Sequence, residues 1–248
     1  GSAPSAERHA RPVDVFEGRT IGVVIPALNE AEAIGSVIRD VPAWVDTIVV
    51  ADNGSVDATS RNARAAGATT VSVPERGYGA ACLAGIAALP PVDIVVFLDG
   101  DYSDHAEDMA DLVRPIVRDE GDFVLGSRTM GHAEPGALTP QQRFGNWLAT
   151  TLIRSIWGIR YTDLGPFRAI RRDALTRLDM RDRNYGWTVE MQIKAAVHNL
   201  RIREVPARYR CRIGVSKVSG TIVGTVMAGY KILFTIARHA LHRGTTDD

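Results

Sequence analysis

The chain has 248 residues, 45% of them hydrophobic, enough to bury one sizeable core. The 29 Lys and Arg residues balance 29 Asp and Glu, so net charge gives no argument for nucleic acid as a partner. Cys82 and Cys211 have no metal spacing and form no disulfide framework, and no apolar run reaches the ~20 residues that span a bilayer, so the expectation is a cytoplasmic protein, free or resting on the inner membrane face.

Residues 1–18 are polar and aperiodic and are expected to form a disordered tail, with Gly1-Ser2 as a tag remnant. Strand and helix then alternate. Apolar β-branched runs predict strands at 21–25, 47–51, 69–73 and 94–98. Helices are predicted at 30–39 with Asn29 as N-cap, to about 66 after a cap at Asp57, at 80–88 and at 105–118. Strands this apolar, separated by helices, imply an α/β fold: a mostly parallel sheet with helices on both faces. A further strand is expected at 123–125, helices at 140–157 and 187–197, and an extended segment at 202–212. The last predicted element is an amphipathic helix at 221–242, and Gly220, Gly224 and Ala228 suit close packing on a partner helix, as in a homodimer. On helix 140–157, Phe144, Trp147 and Trp157 stand beside Arg143 and Arg154, a composition that fits either core packing or peripheral membrane contact.

Ligands of such sheets sit outside the carboxyl ends of the strands. Segments 26–30, 52–55, 76–79 and 99–101 all fall there. Asp99-Gly100-Asp101 is the most informative, because residues i and i+2 of an extended segment point the same way and Gly100 lets a ligand approach. Magnesium and manganese are commonly held by one or two carboxylates with substrate phosphates completing the shell. The same three residues also suit an ordinary turn. Charge is segregated: from Asp93 to Asp111 every ionisable residue other than His105 is acidic, whereas Arg201, Arg203, Arg208, Arg210, Arg212 and Lys217 face only Glu204 in their stretch. Such a pairing suits a grip on a metal and several phosphates.

Val24-Ile25-Pro26-Ala27-Leu28-Asn29-Glu30, Asp52-Asn53-Gly54-Ser55-Val56-Asp57 and Asp99-Gly100-Asp101 together resemble the family 2 glycosyltransferases of GT-A fold. Gly126-Ser127-Arg128, Gly165-Pro166-Phe167-Arg168-Ala169 and Arg212-Ile213-Gly214-Val215-Ser216-Lys217 narrow the resemblance to polyprenyl-phosphate (dolichyl-phosphate) mannosyl- and glucosyltransferases. It implies a GT-A catalytic domain over 19–217 and a C-terminal helical extension over 218–248. It also implies inverting transfer of a hexose from UDP-glucose or GDP-mannose to polyprenyl phosphate, with Mn2+ or Mg2+ as cofactor. By the same resemblance Pro26, Leu28, Glu30 and Asp52 hold the nucleoside, the loop with Gly77 and Tyr78 lies near the donor, and Asp99, Gly100 and Asp101 serve cation and diphosphate. Arg128, Arg143, Arg168, Arg212, Ser216 and Lys217 would meet the acceptor phosphate, with Asp101, Arg212 and Lys217 in the catalytic set. Many relatives carry Gln where Ser103 stands, so water would replace a third protein ligand. Glu190 is the candidate base if the acceptor is instead the hydroxyl of a small metabolite; with a phosphate acceptor it would orient Arg or sugar. A sugar nucleotidyltransferase would want a Gly-rich basic loop after the first strand, where this chain has Pro26-Ala27-Leu28-Asn29-Glu30.

Overall fold

The computed structural model describes residue 16 and residues 18–214 and 222–243. Parallel strands β1 (Ile21–Ala27), β2 (Thr47–Asp52), β3 (Thr69–Ser72) and β4 (Ile94–Phe97) alternate with helices α1 (Ile34–Asp40), α2 (Thr59–Ala65) and α3 (Tyr78–Ala88). A 3-10 turn at Ala106–Asp108 leads into α4 (Met109–Val117) and β5 (Phe123–Ser127). Helix α5 (Pro140–Trp157) follows, then β6 (Arg168–Arg171), α6 (Arg172–Leu178), α7 (Trp187–Val197), β7 (Ile202–Pro206) and α8 (Ile222–Arg243). The seven strands lie in the order β3-β2-β1-β4-β6-β5-β7, and β6 is antiparallel to both its neighbours. The expected mostly parallel α/β sheet is therefore present.

Alternation along the strands splits the core in two, because successive side chains point to opposite faces. Val24, Val95 and Phe97 pack with α3, α5, α6 and α7, whereas Val23, Ile25, Val96 and Leu98 pack with α1 and α4. Helix α3 lies close on β1 because Gly85 has no side chain; a β-carbon there would stand 2.4 Å from Val24 Cγ1. Helix α5 is fixed by a capping box between Thr139 and Gln142, with Pro140 in its first turn and Gly158 in left-handed conformation at its end. Helix α8 packs on α5 and α7 of the same chain.

Some local expectations are corrected. Asn29 does not cap α1: it adopts φ 52° and its side chain accepts from Val56 N at 2.9 Å. The helix begins instead at Ile34, after a turn in which the Glu30 carbonyl accepts from Ala33 N and Ile34 N. Strand β6 and helix α6 were not expected. At the other end, Phe16 is buried against Trp44, with ring centroids 4.2 Å apart, so the core reaches into the segment expected to be a tail; the rest of that segment, apart from Gly18, lies outside the described residues.

Candidate active site

The carboxyl ends of β1, β2 and β4 and the start of α3 open on one cleft of about 360 Å³. Pro26, Ala27, Leu28 and Glu30 line it from β1, Asn53 from β2, Arg76, Gly77 and Tyr78 from the α3 entry, and Asp99, Gly100 and Asp101 from β4. Arg212 closes one side, and Asn184 and Tyr185 enter from the loop before α7. Parallel pairing explains the convergence: β1 lies between β2 and β4, so three adjacent strands release their loops on the same edge.

Asp99 and Asp101 both line the cleft, but from the turn after β4 rather than from an extended segment. Asp99 Oδ1 accepts from the Tyr78 hydroxyl at 3.0 Å, and Asp101 Oδ1 accepts from Ser103 N at 3.0 Å and Ser103 Oγ at 2.5 Å. Ser103 thus orients Asp101 from behind. Burial, and then the charge of Asp101, push the Asp99 carboxyl up to about 7. Buried Asp104, whose carboxylate faces Asp99 N, is pushed well above the carboxylate range by burial and by Asp99 and Asp101. Tyr78 is raised by burial and by Asp99, so its hydroxyl keeps its proton and donates.

Crowded carboxylates that resist ionisation are a donor set a cation would relieve. Asp99 and Asp101 offer hard oxygen ligands suited to Mg2+ or Mn2+. No group of three His, Cys, Asp or Glu able to hold a metal occurs among the described residues, so phosphate and water would have to complete the shell. His105 contributes nothing there; its Nδ1 lies 3.0 Å from Glu107 Oε1.

Arg212 spans the cleft floor, with Nη2 at 2.8 Å from Glu30 Oε1 and Nη1 at 3.1 Å from Asp101 Oδ2. Its buried Nε has no hydrogen-bond partner among the described residues. The guanidinium therefore joins Glu30 to the acidic pair. Much of the basic segment is spent on the acidic one inside the chain: Arg208 pairs with Asp108 and Glu107, and Arg210 donates to the Tyr102 and Asp104 carbonyls while stacking on the Tyr102 ring.

Several expected ligands sit elsewhere. Asp52 does not line the cleft; it accepts from Ser55 N at 2.8 Å and from Ser60 Oγ. Burial acts to raise its pKa, but those hydrogen bonds outweigh it and hold the carboxyl below its usual range. Asn53 lines the cleft instead, and it staples the α3 entry by accepting from Gly77 N at 2.8 Å and donating to Glu75 O at 2.6 Å. Arg168 is fully buried and donates to the carbonyls of Gly165, Leu164 and Thr188, so it shapes the 164–168 turn and meets no solvent-borne phosphate. Its burial lowers its pKa to about 10. Arg128 forms a bidentate pair with Asp163, Nε to Oδ2 and Nη2 to Oδ1 both at 2.7 Å, and Arg143 is exposed on α5 away from the cleft.

Glu190 is the clearest correction. Its carboxylate is fully buried, accepts from Arg181 N and Asp182 N, and pairs with Lys194 at 2.8 Å. No acceptor could reach it there; it organises the loop that carries Asn184 and Tyr185. Nothing in the sequence flagged those two cleft residues, because the loop reaches the cleft only by packing on α3, where Ala80 N donates to Arg183 O at 2.9 Å. Ser216 and Lys217 lie outside the described residues.

The sequence model described as glycosyl transferase family 2 matches residues 22–179. An uncharacterized glycosyltransferase of Mycobacterium tuberculosis is 36% identical over 85% of this chain and 95% of its own length. A dolichyl-phosphate hexose transferase of Haloferax volcanii is 32% identical over 80% of this chain and 86% of its own. The crystal structure of glucosyl-3-phosphoglycerate synthase from Mycobacterium tuberculosis, in complex with Mn2+, UDP-glucose and phosphoglyceric acid, superposes with TM-score 0.74 at 28% identity, covering 91% of this chain and 81% of that one. With a matching sheet, a cleft at the strand ends and the acidic pair at its centre, this chain belongs to glycosyltransferase family 2 and is a glycosyltransferase of GT-A-like fold.

Proposed function

We propose that the chain transfers a hexose from a nucleotide-diphospho-sugar to the phosphate of a polyprenyl phosphate, with inversion. One observation carries the choice of acceptor: among the described residues the cleft presents no carboxylate placed as a general base. Glu30 and Asp101 are paired with Arg212, Glu190 is sealed in the core, and Asp99, which takes the Tyr78 hydroxyl, is in this reading committed to the metal. A phosphate monoester is ionised near neutral pH, its second pKa being ~6, and needs no base. Cations that cancel repulsion between two phosphates are what such a reaction requires.

In this reading Pro26, Leu28 and Glu30 bound the nucleoside, while Gly77, Tyr78 and Gly100 shape the donor floor. Asp99 and Asp101 would hold Mn2+ or Mg2+, which when bound supplies positive charge against the departing diphosphate. Arg212 exchanges its grip on Asp101 for a phosphate oxygen, and Ser216 and Lys217 follow it in the chain as further phosphate donors. The acceptor oxygen forms a bond to the anomeric carbon as the bond from that carbon to the nucleoside diphosphate breaks. The likeness to a dolichyl-phosphate hexose transferase supports the lipid phosphate. A second reading, a small phosphorylated acceptor, is favoured by the likeness to a structure holding phosphoglyceric acid.

The test offers UDP-glucose or GDP-mannose with Mn2+ and either polyprenyl phosphate in detergent or 3-phosphoglycerate, and identifies products by mass spectrometry. Transfer to the polyprenyl phosphate is expected, with losses of about a hundredfold or more in Asp99→Asn, in Asp101→Asn and on chelation. Full activity with the metal chelated refutes the metal assignment; transfer to phosphoglycerate alone refutes the lipid acceptor.

A further inference from the structure

The cleft leaves one surface unused, the outer face of α5 and α8. Phe144 (61% exposed) and Trp147 (59%) are exposed on α5, and Tyr230 (61%), Phe234 (45%) and Leu241 (77%) on α8, the helix that packs against it. Between the two helices runs an apolar groove of about 500 Å³ walled by Phe144, Leu148, Ile232 and Leu233. Only Val56, Met130 and Val197 are comparably exposed large apolar side chains elsewhere among the described residues. A contiguous apolar patch of this kind marks an interaction surface.

Charge selects the occupant. No Asp or Glu occurs between Glu134 and Asp163, or between Glu204 and Asp247, so both helices are free of acids. Among described side chains they carry Arg143, Arg154, Lys231 and Arg238, of which Lys231 is held by Asp182. We propose that this face docks on an anionic lipid surface, with the aromatic rings at headgroup depth and the cations on the lipid phosphates. A second copy is the poorer fit, because a two-fold interface would set this acid-free face against itself with no counter-charge. No described helix is long and apolar enough to cross a membrane, so the contact is one of lying on the surface.

The docking face is wired to the cleft. Lys231 of α8 pairs at 3.3 Å with buried Asp182, which accepts from Asn184 N and Gly186 N in the loop that lines the cleft. Docking would bring a lipid phosphate to the protein on the side where this loop is anchored. In that respect the inference deepens the lipid-acceptor reading and rests on it.

The test is cosedimentation with vesicles of phosphatidylcholine alone or mixed in about equal parts with phosphatidylglycerol, free of donor and acceptor, together with light scattering of the protein in solution. The bound fraction should be about tenfold higher on anionic vesicles and should disappear at about 0.5 M salt. Phe144→Ser with Trp147→Ser should lower it about tenfold, and so should Arg143→Glu with Arg154→Glu, all four being exposed positions that burden no core. Absence of binding at low salt, undiminished binding of both double variants, or a stable dimer that the aromatic variant splits would each overturn the proposal. Because the vesicles contain no substrate, a negative result here leaves the transfer assay in detergent standing, and failed transfer leaves the vesicle result readable.

Discussion

Gly79, in the first turn of α3, sets how closely the loop before α7 approaches the cleft. A β-carbon there would stand 2.0 Å from Asp182 O and 2.9 Å from the carbonyl carbon of Arg183, whereas real β-carbon contacts essentially never fall under 3.0 Å. Gly79→Ala must therefore drive the loop back by about 1 Å or more, and both closest atoms are backbone, which cannot swing aside. That displacement breaks the bonds from Gly79 N to Asn184 O (3.3 Å) and from Ala80 N to Arg183 O (2.9 Å). Two hydrogen bonds at ~1 kcal/mol each and overpacking of 1–3 kcal/mol, offset by up to ~1 kcal/mol of helix propensity, leave a net loss of about 3 kcal/mol. For a chain of this size that lowers the melting midpoint by roughly 6–12 °C. Because Asn184 and Tyr185 move with the loop, affinity for UDP should also fall about tenfold, from lost cleft contacts worth ~1.4 kcal/mol. Thermal unfolding followed by circular dichroism and a UDP titration measure the two effects. Gly145→Ala is the control: nothing stands within 4 Å of its β-carbon position on α5, so stability should hold or rise by up to ~1 kcal/mol. A Gly79→Ala protein melting within about 2 °C of the parent, with unchanged UDP affinity, would refute the packing argument.

Two further outcomes follow from buried carboxylates. Glu190→Gln removes the charge that pairs with Lys194 while keeping the side chain's shape, and should cost about 3 kcal/mol of stability. Its pH–rate profile should stay unchanged and kcat should fall less than about tenfold; loss of the profile's acidic limb, with kcat down a hundredfold or more, would restore it as a base. In the metal-free protein, Asp99 holds its proton to about pH 7 because burial and Asp101 disfavour the charge. The folded state therefore binds that proton more tightly than the unfolded chain, so its stabilising contribution is complete below about pH 4 and lost as pH rises through about 7. In chelator, the stability of the parent relative to Asp99→Asn should fall between about pH 4 and 7; a relative rise would show that Asp99 is not held protonated.

Local chemistry made much of this protein legible in its sequence. The apolar runs of β1, β2 and β4 can exist only as strands buried on both faces, and Thr139, Pro140 and Gly158 delimit α5 without help from the rest of the chain. Asp99 and Asp101 directly follow the apolar run of β4, so they had to lie at its carboxyl end, where ligands of such sheets bind. Strand β6 was not legible, because Arg168-Ala-Ile-Arg has charged ends and no alternation; it becomes a strand only by filling the gap between β4 and β5. That central place gives Arg168 no route to solvent, and backbone carbonyls satisfy it instead. The same holds for charge throughout the site. Sequence shows that Arg128, Arg168, Arg212 and Glu190 carry charge, but the work done by each depends on contacts at 2.7 to 3.2 Å that the fold sets. The partners at those distances exist only in the tertiary structure: Asp163 for Arg128, carbonyls for Arg168, Lys194 for Glu190, and the cleft acids for Arg212. Sequence determined the sheet and its acidic pair; folding alone decided which cations face the cleft.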